Sequence, residues 1–233
     1  MKIDQKKCIK CKLCISLCPV EAIHINEGCV AINQEICVEC GLCKRSNICK
    51  QQAFIDGQLA WPRSIRRALS NPLEVNDSTG VTGRGTEEMK TNDVTGRYKK
   101  GELGISIDVG RPNRGTTFRE IEKITRALAS QPVQFEMKNP ISEVIKDFKT
   151  GEIDKAVLDE HILSGIIEFR VKKDDLFTVL IKINEIKHQI DTVFTIGIIF
   201  SHVRDNMSLV NQLHEYGWPV SQQVKINVGL GRK

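Results

Sequence analysis

From Gly101 onward, apolar positions recur with two different periods. Leu103, Ile105, Ile107 and Val109 alternate with small or polar residues, the two-residue period of a strand with one buried face. Val133, Phe135 and Met137 repeat that pattern, Ile166 to Val171 reads as another strand, and Val193 to Phe200 reads as a central one. Between these lie helical spacings. Thr117-Phe-Arg-Glu120 is a capping box opening a helix with Phe118, Ile121, Ile124 or Thr125, and Leu128 on one face. Asn139-Pro140 is placed to cap a second helix, with Ile141, Val144, Ile145 and Phe148 on its buried side and Gly151 at its exit. A further helix is expected over Ile153 to Leu163. Another, from Asp174 to Ile190, is buried through Leu176, Leu180, Ile183 and Ile190. Asn206 to Tyr216 predicts a helix stopped by Gly217, and Val224, Ile226 and Val228 a final strand. Residues 102–233 are thus expected to form an α/β sandwich, helices on a mixed sheet, large enough for its own core.

The first sixty residues follow a different rule, a repeat. Cys8, Cys11 and Cys14 recur as Cys37, Cys40 and Cys43, and Ile9 and Leu13 recur as Val38 and Leu42, all at an offset of 29. Past the third cysteine the offset becomes 31, so that Cys18 matches Cys49 and Ala22-Ile23 matches Ala53-Phe54. Each half reads as strand, cysteine loop, short helix and return strand. The second half carries two extra residues before its last cysteine, and Lys50 stands where Pro19 follows the first run.

All nine cysteines lie between Cys8 and Cys49. An odd number in tight Cys-x-x-Cys spacing argues for metal rather than a disulfide framework. Cys8-x2-Cys11-x2-Cys14-x3-Cys18-Pro19 is the iron–sulfur run of bacterial ferredoxins. Thiolate is a soft ligand suited to iron–sulfur clusters, and cysteines at i, i+3 and i+6 on one tight loop reach three corners of a cubane. The fourth corner needs a cysteine from elsewhere. Zinc is the alternative occupant, but its structural sites use separated pairs rather than two such runs. Cys29 falls outside both sets and is expected to be a small packed residue.

On these residues the first sixty positions resemble the two-cluster bacterial-type ferredoxins. That resemblance implies two [4Fe-4S] clusters with crossed fourth ligands. One cluster takes Cys8, Cys11, Cys14 and Cys49, the other Cys37, Cys40, Cys43 and Cys18. The chain is then α+β, with a ferredoxin-like domain over 1–60, a linker and Gly/Thr-rich loop over 61–101, and the sandwich domain over 102–233. The alternation in that last part resembles small ligand-binding sandwiches of the ACT-like group in pattern alone.

Composition narrows the rest. The 40% hydrophobic and 27% charged content suits a globular protein, and no apolar run approaches a membrane span. Without a signal-like N-terminus, the expected location is the cytoplasm. A net charge of +5 is too mild to argue for nucleic acid but can steer an acidic partner. Two loops suit an anion. One is Ser78 to Thr86 with Arg84. The other is Gly110 to Thr117 with Arg111, Arg114, Thr116 and Thr117 before a helix start. Asp108, Glu87, Glu88 and Asp93 are possible acid/base groups, yet no catalytic set emerges from their spacing. The expected function is single-electron transfer to or from a partner oxidoreductase, with the C-terminal domain as docking module. The alternatives are a fused reductase or a ligand sensor binding an anionic small molecule.

Overall fold

The computed structural model describes residues 1–86, 96–111, 115–200 and 206–220. Two hydrophobic cores are present. The smaller holds Met1, Ile23, Val30 and Phe54, with six of the cysteines packed against it. Strand β1 (Lys2–Ile3) pairs antiparallel with β4 (Phe54–Ile55), and β2 (Ile23–Asn26) with β3 (Cys29–Ile32). The first strand of one half therefore pairs with the return strand of the other. Of the two short helices expected, only α1 (Leu42–Arg45) forms, in the half with the extra residues. The matching stretch of the first half is a run of turns.

The repeat survives at the level of single hydrogen bonds. Cys8 N–H donates to Asp4 O at 3.0 Å, and Cys37 N–H to Asn33 O at 3.1 Å. Asp4 N–H donates to Ala53 O and Asn33 N–H to Ala22 O, both at 2.8 Å. Left-handed backbone recurs too, at Lys10 and Lys12 in the first half and at Glu39 and Gly41 in the second. It recurs again at Glu21 and Gln52, which share the offset of 31.

The larger core joins a sheet and its helices. The sheet runs in the order β12 (Phe194–Phe200), β5 (Glu102–Val109), β11 (Gly165–Lys172), β7 (Val133–Phe135). Leu103, Ile105, Ile107 and Val109 share one face of β5, in register with Val171, Phe169, Ile167 and Gly165 of β11. Against them pack Phe118, Ile121, Ile124 and Leu128 of α3 (Phe118–Ala129) and Leu176, Val179, Leu180 and Ile183 of α4 (Leu176–Ile186). Helix α2 (Ser64–Ser70), inside the expected linker, contributes Ile65 and Leu69 to this core, and α5 (Asn206–Glu215) contributes Leu209 and Leu213.

Several expectations need correction. The sheet is not mixed, because every described strand pair is antiparallel. Among the described residues β12 ends the strand order rather than lying centrally, and the strand expected at 224–228 lies outside them. The helix expected after Pro140 is one 3-10 turn (Ser142–Val144) running into β8 (Ile145–Asp147), which pairs with β9 (Glu152–Ile153). Ile145 and Ile153 are buried and paired, so a two-residue register took the place of helical spacing. The helix expected over 153–163 is replaced by turns and β10 (His161–Ile162), which pairs with β6 (Thr116–Thr117). The capping box does not close either. Thr117 makes no capping bond, while Glu120 turns to Lys123 at 2.7 Å and to the Asp191 N–H.

The opposite face of β5 carries Gly104, Ser106 and Asp108. A Cβ at Gly104 would meet the Tyr98 ring at 2.3 Å, so glycine here is what lets the aromatic lie on the strand. Residues 83–86 cross the same face. Thr86 N–H donates to both Glu168 carboxylate oxygens at 2.9 and 3.1 Å, and Asn139 Nδ2 adds a third bond at 2.9 Å. All three residues are buried.

Candidate iron–sulfur site

The cysteines gather into two groups in space. One cavity is lined by Cys8, Cys11, Cys14 and Cys49, with Val30 and Phe54 behind them. A second is lined by Cys18, Cys37, Cys40 and Cys43. Each group takes three cysteines from one half of the repeat and the fourth from the other. A separate groove of about 520 Å³ runs beside them, touching Cys43 and Cys49 and walled by Lys44, Arg45 and Asn47 of the extra-residue segment. The insertion is therefore absorbed at the surface. Cys29 joins neither group and sits in β3.

Electrostatics sorts the thiols the same way. Burial pushes Cys43 up to about 12, and Cys40, Cys37 and Cys18 add to the effect. Burial also raises Cys14; its own backbone N–H opposes this, and Cys11, Cys8 and Cys49 reinforce it. Burial likewise raises Cys37 and Cys40, so in both groups burial and neighbouring cysteines work against the thiolate. A polycationic iron core reverses that balance, as bound metal does for any coordinating thiol. The cysteines of each group line one cavity, and among the described residues no group of three or more His, Cys, Asp or Glu side chains is placed to hold a single metal ion. Two backbone donors complete the pattern, Ala22 N–H to Cys18 Sγ at 3.2 Å and Ala53 N–H to Cys49 Sγ at 3.4 Å. Such bonds stabilise negative charge on the sulfur and tune a cluster's potential.

The second group sits deeper in the protein. Glu39, between Cys37 and Cys40, has a fully buried side chain. Burial would raise its pKa, but the Met1 ammonium and Arg63 outweigh burial and hold it below the ordinary carboxylate value. Arg63 Nη2 reaches Glu39 at 2.7 Å. One turn further along α2, Arg66 donates to the carbonyls of Gln34, Glu35 and Cys37 at 3.1, 2.7 and 2.9 Å. Its Nε bonds Glu160 in the other unit. Neither arginine is given a role by the sequence, which shows only a short basic helical stretch directly after the repeat. His161, beside Glu160, has its pKa lowered by burial and then by Arg66.

The expected anion residues come together only in part. Arg84 and Arg111 both place Nη1 at 3.1 Å from Asp108 Oδ1. Arg84 also donates to Ser164, and Arg111 Nη2 to Thr195 Oγ1 at 3.0 Å. Thr116 is buried and its hydroxyl is committed to Thr117 O at 3.3 Å, while Thr117 pairs with His161. Arg114, Glu87, Glu88 and Asp93 lie outside the described residues.

Comparison with known proteins gives the class of the N-terminal segment. Residues 1–24 match the family model of the 4Fe-4S binding domain. Over 39 residues the chain is 38% identical to a ferredoxin of Rickettsia felis, covering 16% of this chain and 36% of that protein. It is 36% identical over 39 residues to Ferredoxin-1 of Caulobacter vibrioides, covering 16% and 34%. A third relative is the delta subunit of the NADH-dependent phenylglyoxylate dehydrogenase of Aromatoleum evansii, 34% identical over 50 residues, 22% of this chain and 52% of that subunit. The chain thus spans from a third to a half of the curated relatives it matches. No solved structure matches. The N-terminal segment is therefore a ferredoxin-like segment of the 4Fe-4S class, and the family match does not extend beyond it. Among the described residues no helix is long and apolar enough to cross a membrane.

Proposed function

We propose that this chain passes single electrons through two [4Fe-4S] clusters to or from a partner oxidoreductase, with the C-terminal unit as docking module. The crossed grouping carries the reading: each cavity holds three cysteines of one half and the fourth of the other. Cys8, Cys11, Cys14 and Cys49 would hold one cluster, and Cys37, Cys40, Cys43 and Cys18 the other. When bound, each cluster supplies a one-electron couple. The chain's own contribution is to bury the quartets, to direct the Ala22 and Ala53 N–H groups at sulfur, and to set charge nearby through Glu39, Arg63 and Arg66. Kinship to a dehydrogenase subunit supports an oxidoreductase as the partner. Anaerobic reconstitution tests the reading. About eight irons and eight sulfides per chain, with two interacting reduced clusters by paramagnetic resonance, are expected. Two zinc ions and no visible absorption would overturn it.

A second reading is a reductase or sensor that binds an anionic small molecule in the C-terminal unit. The observation in its favour is the pair Arg84 and Arg111, which share one carboxylate and so retain a net positive charge at the end of β5. Alanine at Arg84, Arg111 and Arg114 should abolish binding of such a ligand and spare the cluster spectrum. Binding that survives all three changes rules it out.

A further inference from the structure

The repeat supplies an internal control for surface charge, since its two cysteine loops share a backbone and differ in side chains. Residues 5–14 carry Lys6, Lys7, Lys10 and Lys12 and no carboxylate. The equivalent residues 34–43 carry Glu35 and Glu39 and no lysine. Lys10 and Glu39 occupy the same left-handed position in their loops, yet Lys10 is exposed and Glu39 is buried against Arg63. Apolar residues follow the same division. Ile9 is 66% exposed and its counterpart Val38 only 2%. Leu13 is 57% exposed, and Cys11 is the one cysteine classed as exposed. Lys12 and Lys50, far apart in sequence, both line the cavity of the Cys8, Cys11, Cys14 and Cys49 group. Among the described residues none of these five lysines has an ion-pair partner.

We propose that this lysine-ringed, apolar-centred face over Cys8, Cys11, Cys14 and Cys49 is the docking surface for an acidic redox-partner protein. Electrons then cross the protein surface here rather than beside the second group, where Arg66 of α2 ties the Cys37 carbonyl to Glu160. The chemistry selects the occupant. Unpaired cations steer an anionic partner over a distance set by the Debye length, about 10 Å at 0.1 M salt, and raise its association rate. Ile9 and Leu13 supply the desolvated centre that a protein interface has and that a nucleic acid or a small anion does not use. The proposal rests on the electron-transfer reading above.

The test uses the reconstituted full chain. Dithionite-reduced protein is mixed in stopped flow with an anionic oxidant, Fe(III)–EDTA, and with a cationic one, hexaamminecobalt(III), at low and high salt. Binding of an acidic flavodoxin is followed separately by calorimetry. Relative to a variant with charges reversed here, the anion should be favoured by about tenfold or more at low salt, an advantage that salt erodes. Lys10→Glu with Lys12→Glu should remove that preference and flavodoxin binding together, while Lys149→Glu with Lys155→Glu on the other unit should change neither. If the first pair disturbs cluster loading, Lys6→Glu with Lys7→Glu asks the same question outside the ligand spacing. A preference indifferent to these reversals, or duplex DNA bound more tightly than flavodoxin, overturns the proposal. Should neither oxidant take an electron, the electron-transfer reading fails, and calorimetry alone decides whether the face docks an acidic protein.

Discussion

Glu168 is a carboxyl group placed where its charge is poorly solvated, and the consequence can be measured. It is 2% exposed, in the middle of β11, and burial pushes its pKa to about 7 against an ordinary 4.5 despite bonds from Asn139 and Thr86. The folded state therefore holds this proton more tightly than the unfolded one. Its stabilising contribution is complete below about pH 4.5 and is lost as pH rises through about 7. The interval corresponds to roughly 3 kcal/mol in all, of which roughly 2 kcal/mol falls between pH 5.5 and 8. Glu168→Gln keeps an acceptor for the Thr86 N–H, adds a donor and cannot titrate. Urea unfolding followed by far-ultraviolet circular dichroism at pH 5.5 and 8, wild type against variant, cancels the pH response of the rest of the molecule. The variant should lose the excess fall in stability that the wild type shows. Parallel behaviour of the two proteins would refute the reasoning.

Other outcomes follow from single contacts. Gly151→Ala should destabilise by about 1–3 kcal/mol in chemical denaturation, because its φ is +72° and a Cβ would lie 2.2 Å from Thr125 O. Arg66→Ala leaves the Glu160 charge unpaired and takes the arginine donor from the Glu35 and Cys37 carbonyls, Gln34 O keeping Arg63, so a loss of roughly 3–5 kcal/mol is expected from the same measurement, with a shifted potential for the Cys18, Cys37, Cys40 and Cys43 cluster in redox titration. Cys49→Ala should halve iron to about four per chain by metal analysis, whereas Cys29→Ala should leave about eight. Phe118→Ala empties a fully buried position in the larger core and should cost about 3–5 kcal/mol in urea.

Sequence made the strongly periodic elements plain. The alternation of Leu103 to Val109 became β5, and the stripe from Phe118 to Leu128 became the buried face of α3. Where reading failed, a competing interaction explains it. Ile141, Val144, Ile145 and Phe148 have helical spacing, but Asn139 is tied to Glu168 and to the Ile141 N–H at 2.8 Å, and Ile145 finds a strand partner in Ile153. Long-range pairing overrode local period, which no window of neighbouring residues registers. In the N-terminal segment the opposite holds. Cysteine spacing and the offset of 29 are local and regular, so the two runs stand out in the sequence, while the exchange of their fourth cysteines is implied only by the ferredoxin resemblance. The hold of Arg66 on the Cys37 carbonyl was not readable, because nothing in a helix with two arginines says which backbone they will meet.

The pairing of β1 with β4 has a temporal consequence. Strand β1 has no hydrogen-bonded strand partner until Phe54 and Ile55 have been synthesised, and on the proposed ligation Cys8, Cys11 and Cys14 wait for Cys49 as Cys18 waits for Cys37 to Cys43. On that ligation a nascent chain ending before Cys43 offers neither thiol set complete, and one ending before Cys49 offers only that of Cys18, Cys37, Cys40 and Cys43. Under the proposed ligation, neither half of the segment taken alone carries all four members of either spatial group, so cutting between the halves divides both.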